Sequence, residues 1–529
     1  VKTLRARLAL GLVAVSLAFA AVRLWPPDRA DAKEVTLRFA HWQLEAGVRD
    51  AFDQVAADYM ARNPGVRVVQ MTIPDRIYPA WLTTQLSGGT PPDLVQLGRY
   101  ASEDAGYEIL ARHFVPLTEH TTAPNPYNAG TALDGVPWRA TFLDYLSGWT
   151  TWSEALQEVY GVPTTIFSIR VYYNRQLYRE ITGSEDPPRT LEAFLEVCAA
   201  VGRHADETGR KLTPLAGSEF NVQRLIETLF KYPTQRWRVD YDPFRSHGLA
   251  LASRDEGLLQ FATGRLSMAD TPFRDGFALI REVGEQLGGS VLGMSREDAA
   301  MRFLQGRALM IISGTWDSTG LASQASFPVD AFPLPMPSAR HERFGPLIHG
   351  PQSEAGYTGS GTLGVTRASK HPEVAIDFLR YLTSLEGAAT FSRLSRWPSA
   401  LTEAEIPAEM RAFAPELEGY PEGWAPMLEG ADLRRGFNVN RHLLFHPNGG
   451  TDAFVERYAP MASRAAEADL RRALVDRTRG QRRLDAVLAG SWMLAEEDPS
   501  AARRFADLAE TQLLNDLRNR RILSRLAPP

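Results

Sequence analysis

The 529-residue chain is 44% hydrophobic and 23% charged, with a formal net charge of -5, the balance of a globular protein too long for one core and so built as two or more lobes. That charge offers no clustered positive field for nucleic acid, so no nucleic-acid partner is expected. The one cysteine, Cys198, excludes an internal disulfide and leaves none near the N-terminus for a lipid anchor; in "LEAFLEVCAAV" it occupies an apolar helical position.

In chain order, Lys2, Arg5 and Arg7 precede "LALGLVAVSLAFAAV", an uncharged run that is short for a spanning helix and the right length for a secretory signal. Ala18 and Ala20 set a cleavage site after Ala20, giving a signal over residues 1–20 and a periplasmic mature protein; the competing reading is an uncleaved anchor with Arg23 at its emerging end. "EVTLRFAHW" is a strand, and "GVRDAFDQVAADYMARNPG" is an amphipathic helix with Val48, Phe52, Val55, Ala56 and Tyr59 on one face, stopped by Asn63, Pro64 and Gly65. "VRVVQMTI", "YPAWLTTQLSGG" and "DLVQLG" continue as strand, helix and strand, a βαβαβ run that predicts a parallel sheet with helices on both faces. Ligands of such sheets collect beyond the strands' carboxyl ends, which here carry His41 and Trp42, then Pro74 to Tyr78, then Arg99 and Tyr100.

A second unit begins near "VYGVPTTIFSIRVYYNRQLY", where Pro163 breaks the chain before an extended run. "PPRTLEAFLEVCAAVG" is a helix whose start is set by Pro188 and Thr190. "REDAAMRFLQG" is a helix closed by Gly306, and "RALMIISG" is a strand ending at Gly314, Thr315 and Trp316. "KYPTQRWRVDYDPFRSHG" and "FPVDAFPLPMPSARHERFGPLIHG" read as long, ordered, irregular loops. From about 452 to 526 the pattern is almost wholly helical, and its arginines (Arg471, Arg472, Arg477, Arg482, Arg483) alternate with acids as a solvated face does.

"YTGSGTLGV" holds Gly359, Gly361 and Gly364 at the spacing of a dinucleotide fingerprint, but that fingerprint follows a strand and opens a helix, whereas here "TLGVTRAS" itself is the strand and the helix waits until Pro372. The glycines therefore let one backbone pass close to another surface. No H-E-x-x-H, paired C-x-x-C, phosphate loop or nucleophile elbow occurs, so no catalytic residue, metal or cofactor is expected. Carboxylates are plentiful, and two of them facing one another would make an exported glycosidase, the runner-up.

Four segments in order resemble the extracellular solute-binding proteins of ABC importers, of the family 1 type that captures sugars and oligosaccharides. They are "LRFAHW…AFDQVAADYMARNPGVRV" (37–68), "YGVPTTIFSIRVYYNRQLYREITG…PPRTLEAFLEV" (160–197), "RFLQGRALMIISGTW" (302–316) and "GTLGVTRASKHPEVAIDFLRYLTSLEGAATFSRLSRWPSAL" (361–401). The resemblance implies a two-lobed α/β fold, a Venus-flytrap with parallel-sheet lobes, hinge crossings and a helical C-terminal extension. Lobe one would hold 34–163 and 362–405, and lobe two 166–357 and 406–529. Pro163 and Gly359, Gly361 and Gly364 would lie in the hinge.

A sugar presents an apolar C–H face and a rim of hydroxyls, so its site needs flat aromatics and planar hydrogen-bonding side chains. Trp42, Tyr100, Trp316, Tyr357 and Trp397 are the aromatic candidates at the cleft, with His41, Arg99 and Asp317 as polar neighbours. An aromatic cluster could instead hold a cation such as a polyamine or betaine. The resemblance further implies a monomer that binds a small-molecule carbohydrate and delivers it to membrane permease subunits.

Overall fold

The computed structural model describes residues 35–98, 106–148, 150–153, 156–240, 254–288, 291–355, 359–446 and 448–526. The signal segment and the candidates Arg99, Tyr100 and Tyr357 lie outside them.

The first sheet follows the expected βαβαβ course. Strand β1 (Val35–His41) pairs in parallel with β2 (Val66–Thr72) and with β3 (Leu94–Gln96). Helix α1 (Ala46–Arg62) buries Val48, Phe52, Val55, Ala56 and Tyr59 on one face of that sheet. At roughly 1.5–3 kcal/mol for each large apolar side chain, this stripe decides where the helix lies. Helix α2 (Tyr78–Gly88) covers the other face through Tyr78, Leu82 and Leu86, and Gly89, at φ +70°, ends it in the left-handed conformation. A short hairpin, β4 (Trp152–Ser153) with β5 (Glu158–Val159), leads out of this lobe.

The second sheet departs from the expectation. Strand β6 (Ile169–Asn174) is antiparallel to both β8 (Ala308–Gly314) and β9 (Val329–Pro333), and only β7 (Thr213–Ala216) runs parallel, to β8. The sheets are therefore mixed, in place of the parallel-sheet lobes the sequence suggested. Strand β9 sits inside "FPVDAFPLPMPSARHERFGPLIHG", expected as a loop; it is an edge strand, where a terminal proline without an N–H costs no ladder bond. In the other stretch expected to be irregular, Gln235–Asp240 is helical. Around this sheet pack α3 (Leu191–Thr208), whose N-terminal amide of Ala193 donates to Thr190 Oγ1 at 3.2 Å, then α4 (Glu219–Leu229), α5 (Arg254–Ala262), α6 (Thr271–Gly284) and α7 (Arg296–Leu304). Cys198 is buried in that core, which pushes its thiol up to about 12.

The chain then returns. Strand β10 (Leu363–Val365) adds to the first sheet antiparallel to β3, with Gly364 opposite Val95, and α8 (Pro372–Leu382) and α9 (Leu385–Ser395) pack beside α1 in that sheet's core. Three segments run between the sheets and are stitched to one another. Val162 and Leu363 exchange backbone bonds at 2.9 and 3.0 Å, Thr165 and Ser360 at 2.8 and 3.2 Å, and Pro398 O accepts from Ile166 N at 3.1 Å and Thr165 Oγ1 at 2.7 Å. Gly361 has φ +61°, and a Cβ there would stand 2.5 Å from Thr164 Oγ1, so this bend requires glycine.

The tail is not an appendage. Helix α10 (Thr451–Leu494) places Phe454, Tyr458, Ala462, Ala466, Leu470 and Leu474, one residue per turn, in the same core as the second sheet, and α11 (Pro499–Leu526) folds back along it. Among the described residues no helix is long and apolar enough to cross a membrane.

Candidate functional site

Strand alternation separates the two residues that end β1. His41 shares the face of Phe39 and lies fully buried among the rings of Phe39 and Phe52, at 5.7 and 4.7 Å. Its Nδ1 accepts from Gln43 N at 3.2 Å, so Nε2 is the protonated nitrogen that meets Gln70 Oε1 at 2.8 Å. Both ring nitrogens are spent within the protein. Burial lowers its pKa to about 4; the Gln70 bond opposes that shift and Arg49 adds to it. Because the folded value lies below the ordinary one, the unfolded chain takes up a proton that the native protein refuses as pH falls from about 6.5 to 4. The fold should therefore lose about 2 kcal/mol between pH 7 and 5 from this residue. Urea unfolding at the two pH values checks it: His41→Gln should flatten the difference, and an undiminished slope in that variant would assign the loss to other groups.

Trp42 turns to the opposite face, edge-on to Tyr78 at 4.9 Å and half-buried in the cluster under α2. Trp397 is fully buried, perpendicular to Phe167 at 4.9 Å, with no partner for its indole N–H. Trp316 is only half-buried. Its ring stands perpendicular to Phe167 at 5.3 Å and to Phe220 of α4 at 6.4 Å, and folds back over Gly314, where a side chain would overlap it. Phe167 thus joins Trp316 and Trp397 into one aromatic group. Asp317 is neutralised in place: one oxygen takes Arg296 Nη2 at 2.6 Å, the other the Ser313 hydroxyl, and the same guanidinium covers the Phe220 ring at 4.5 Å.

Glu45, the residue before α1, lies close enough to this wall to feel Asp317 and Arg296. Its Oε2 is buried without a hydrogen-bond partner, and its pKa is raised, by burial first and in smaller part by Asp317, against the pull of Arg296. The lobes touch just beyond: Thr319 Oγ1 donates to Ser395 O at 3.0 Å and Ser318 Oγ to Arg396 O at 3.4 Å. Beside the crossings, Asp144 is 9% exposed; its Oδ1 accepts from Leu146 N at 3.0 Å while Oδ2 has no partner and lies 2.8 Å from where a Cβ on Gly359 would be. Pro163 flanks the same glycine, 3.2 Å from that Cβ position. The next two residues, Tyr145 and Leu146, have φ +55° and +57°, and Tyr145 is 57% exposed; Arg396, just before Trp397, has φ +57°. Such backbone costs about 1–3 kcal/mol per residue and persists where surrounding structure imposes it.

Sequence reasoning missed Glu45, Phe167, Phe220, Arg296, Asp144 and Tyr145. Glu45 alone had a signal, as an acid at the start of the helix that follows the first strand's carboxyl end. The assembled parts are an aromatic wall, a clamped ion pair and buried oxygens lacking donors. Among the described residues no three His, Cys, Asp or Glu side chains converge as a metal site.

The sequence matches the bacterial extracellular solute-binding proteins over residues 54–414. Relatives in Brucella abortus strain 2308 and Brucella suis biovar 1, each named only as a binding protein, are 27% identical over 379 residues, 69% of this chain and 75% of theirs. Among solved structures, a chitin oligosaccharide binding protein superposes with a TM-score of 0.54 at 16% identity, over 82% of this chain and all of that one. The GacH receptor of Streptomyces glaucescens, studied unliganded and with acarbose, gives 0.55 at 15% identity over 83% and 99%. The maltose/maltodextrin-binding domain MalE of Bdellovibrio bacteriovorus, bound to maltotriose, gives 0.51 at 16% over 83% and 100%. These are two-lobed binding proteins, and the likeness shows that fold here. With the family match covering well over half of the chain, from within α1 to beyond the third crossing, the chain belongs to the bacterial extracellular solute-binding proteins.

Proposed function

We propose that the protein is exported, captures a carbohydrate, an oligosaccharide, between its lobes and delivers it to an ABC-type importer without altering it chemically. The observation that carries this reading is the Trp316 wall with, near its Asp317–Arg296 pair, a Glu45 oxygen (Oε2) buried without a donor: an aromatic face for sugar C–H groups and an oxygen that a hydroxyl would satisfy. The sugars bound by the fold relatives point the same way. Trp316, Asp317 and Glu45 would meet the solute first. Trp42 and Trp397, packed as they are, would shape the cleft from behind, and His41 would hold the first strand's end. Pro163 with Gly359, Gly361 and Gly364 would form the hinge between a lobe of 34–163 and 362–405 and one of 166–357 and 406–529, and a solute touching both walls would favour closure because only the closed form makes all the contacts.

A thermal-shift screen of the mature protein against mono- and oligosaccharides tests the proposal, since a ligand of the native state alone stabilises it by RT ln(1 + [L]/Kd). A sugar that raises Tm and is recovered intact is the expected result. A shift by polyamines or betaines with none by sugars, or turnover of the sugar, would sink it.

A further inference from the structure

Helix α10 is 44 residues, about 66 Å long, and its two halves serve different lobes. Up to Leu474 it belongs to the second core, and Arg477 then fixes the hairpin there through Asp255 of α5 and, at 2.6 Å, Asn519 of α11. About two turns later Leu484 is buried in the other lobe, in the cluster of Tyr78, Leu82, Leu156 and Tyr160. Helix α11 carries a second contact to the same place: Arg504 meets Glu158 Oε1 through Nη2 at 2.5 Å and Nε at 3.0 Å, while the Thr118 hydroxyl holds the other Glu158 oxygen. The two helices are tied to each other along their length. Gln481 and Gln512 exchange side-chain to backbone bonds at 3.0 and 3.3 Å, and Ala501, Leu508, Asn519 and Ile522 are buried at steps of seven, eleven and three residues, which keep to one face of the helix.

What the hairpin grips matters as much as that it grips. Glu158 lies on β5, which runs through Tyr160 into the first crossing segment at Val162. The junction is also loosely filled: a cavity of about 610 Å³ lies between Thr118, His120, Glu158, Arg503, Arg504 and Asp507. A contact resting on buried Leu484 and the Arg504–Glu158 pair, beside an open cleft, is small enough to open without unfolding either core.

We propose that α10 and α11 form an interlobe brace, anchored in the second lobe and clasping the first beside the hinge, so that the Arg504–Glu158 clasp sets how much of the population holds the lobes in the arrangement described here. Affinity for the solute then depends on residues that never touch it. This goes beyond the assignment of a solute and does not depend on it.

The test needs no ligand. Exposed Ala61 in the first lobe and Glu207 in the second are replaced by cysteine and spin-labelled, buried Cys198 staying unreactive, and the distance distribution is read by double electron–electron resonance. Arg504→Glu should broaden the distribution and move it to longer distances, and adding Glu158→Arg should restore the parent profile. A distribution unchanged by Arg504→Glu overturns the brace. So does a change that the charge swap fails to reverse, since that would reflect local damage to the hairpin.

Discussion

Glu354→Ala is expected to destabilise the second lobe by about 3 kcal/mol or more, the cost of leaving a buried charge without its partner. The charge is Arg170, at the start of β6, whose side chain is 2% exposed. Its guanidinium donates to Glu354 through both terminal nitrogens, at 2.8 and 2.9 Å, and to the carbonyls of Ile169, Ala412 and Ala414 at 2.6–2.8 Å. Without Glu354 those carbonyls remain, but the carboxylate that pairs with the guanidinium is gone. Glu354 itself is 32% exposed, so water screens part of the loss and holds the effect to the lower end of the range. Replacing both residues, Arg170→Met with Glu354→Leu, should cost less than Glu354→Ala alone. Urea unfolding followed in the second lobe decides the matter: a change under about 1 kcal/mol for Glu354→Ala would mean the guanidinium finds water or another acid.

Trp316→Ala should weaken binding of whichever sugar raises the melting temperature by about 2 kcal/mol or more, roughly thirtyfold in Kd, as truncation of a central aromatic anchor does. Since the ring is only half-buried and meets Phe167 and Phe220 in perpendicular contacts at the margin of the first core, its loss should leave the ligand-free protein folded. Calorimetric titration with circular dichroism on the same sample separates the two effects. Unchanged affinity would return Trp316 to a packing role and put the solute elsewhere along the cleft.

Periodicity made much of the scaffold readable. The stripe from Val48 to Tyr59 needs no context to announce a helix face, and Thr190 before an apolar run announces a cap; both appear as expected. Strand direction in the second sheet was not readable, because β6 and β8 are apolar runs whose composition is the same whichever way a neighbour points. Strand β9 was hidden by its prolines, which read as breaks until the strand is known to be an edge. At the site, position along the chain located strand ends but not ring directions: His41 and Trp42 are consecutive, so alternation sends them to opposite faces, and only the packing of α1 and α2 decides which face is solvent. Glu45 and Asp144 gain meaning from what is missing around them, an absent donor, which no linear pattern encodes.

The pairing of β3 with β10 bears on how the molecule comes into being. Gln96 finds its partner, Leu363, only after the whole second sheet has been made, and α8 and α9 fill the first core later still. Until then β3 presents an unpaired edge, and the sheet that begins the chain waits on its far side for completion. The second sheet closes within one continuous stretch, yet its core lacks α10 until the tail emerges. Each core thus draws on segments far apart in the chain. Such long-range closure favours slow folding and leaves the β3 edge open to wrong pairings while the last third is still arriving.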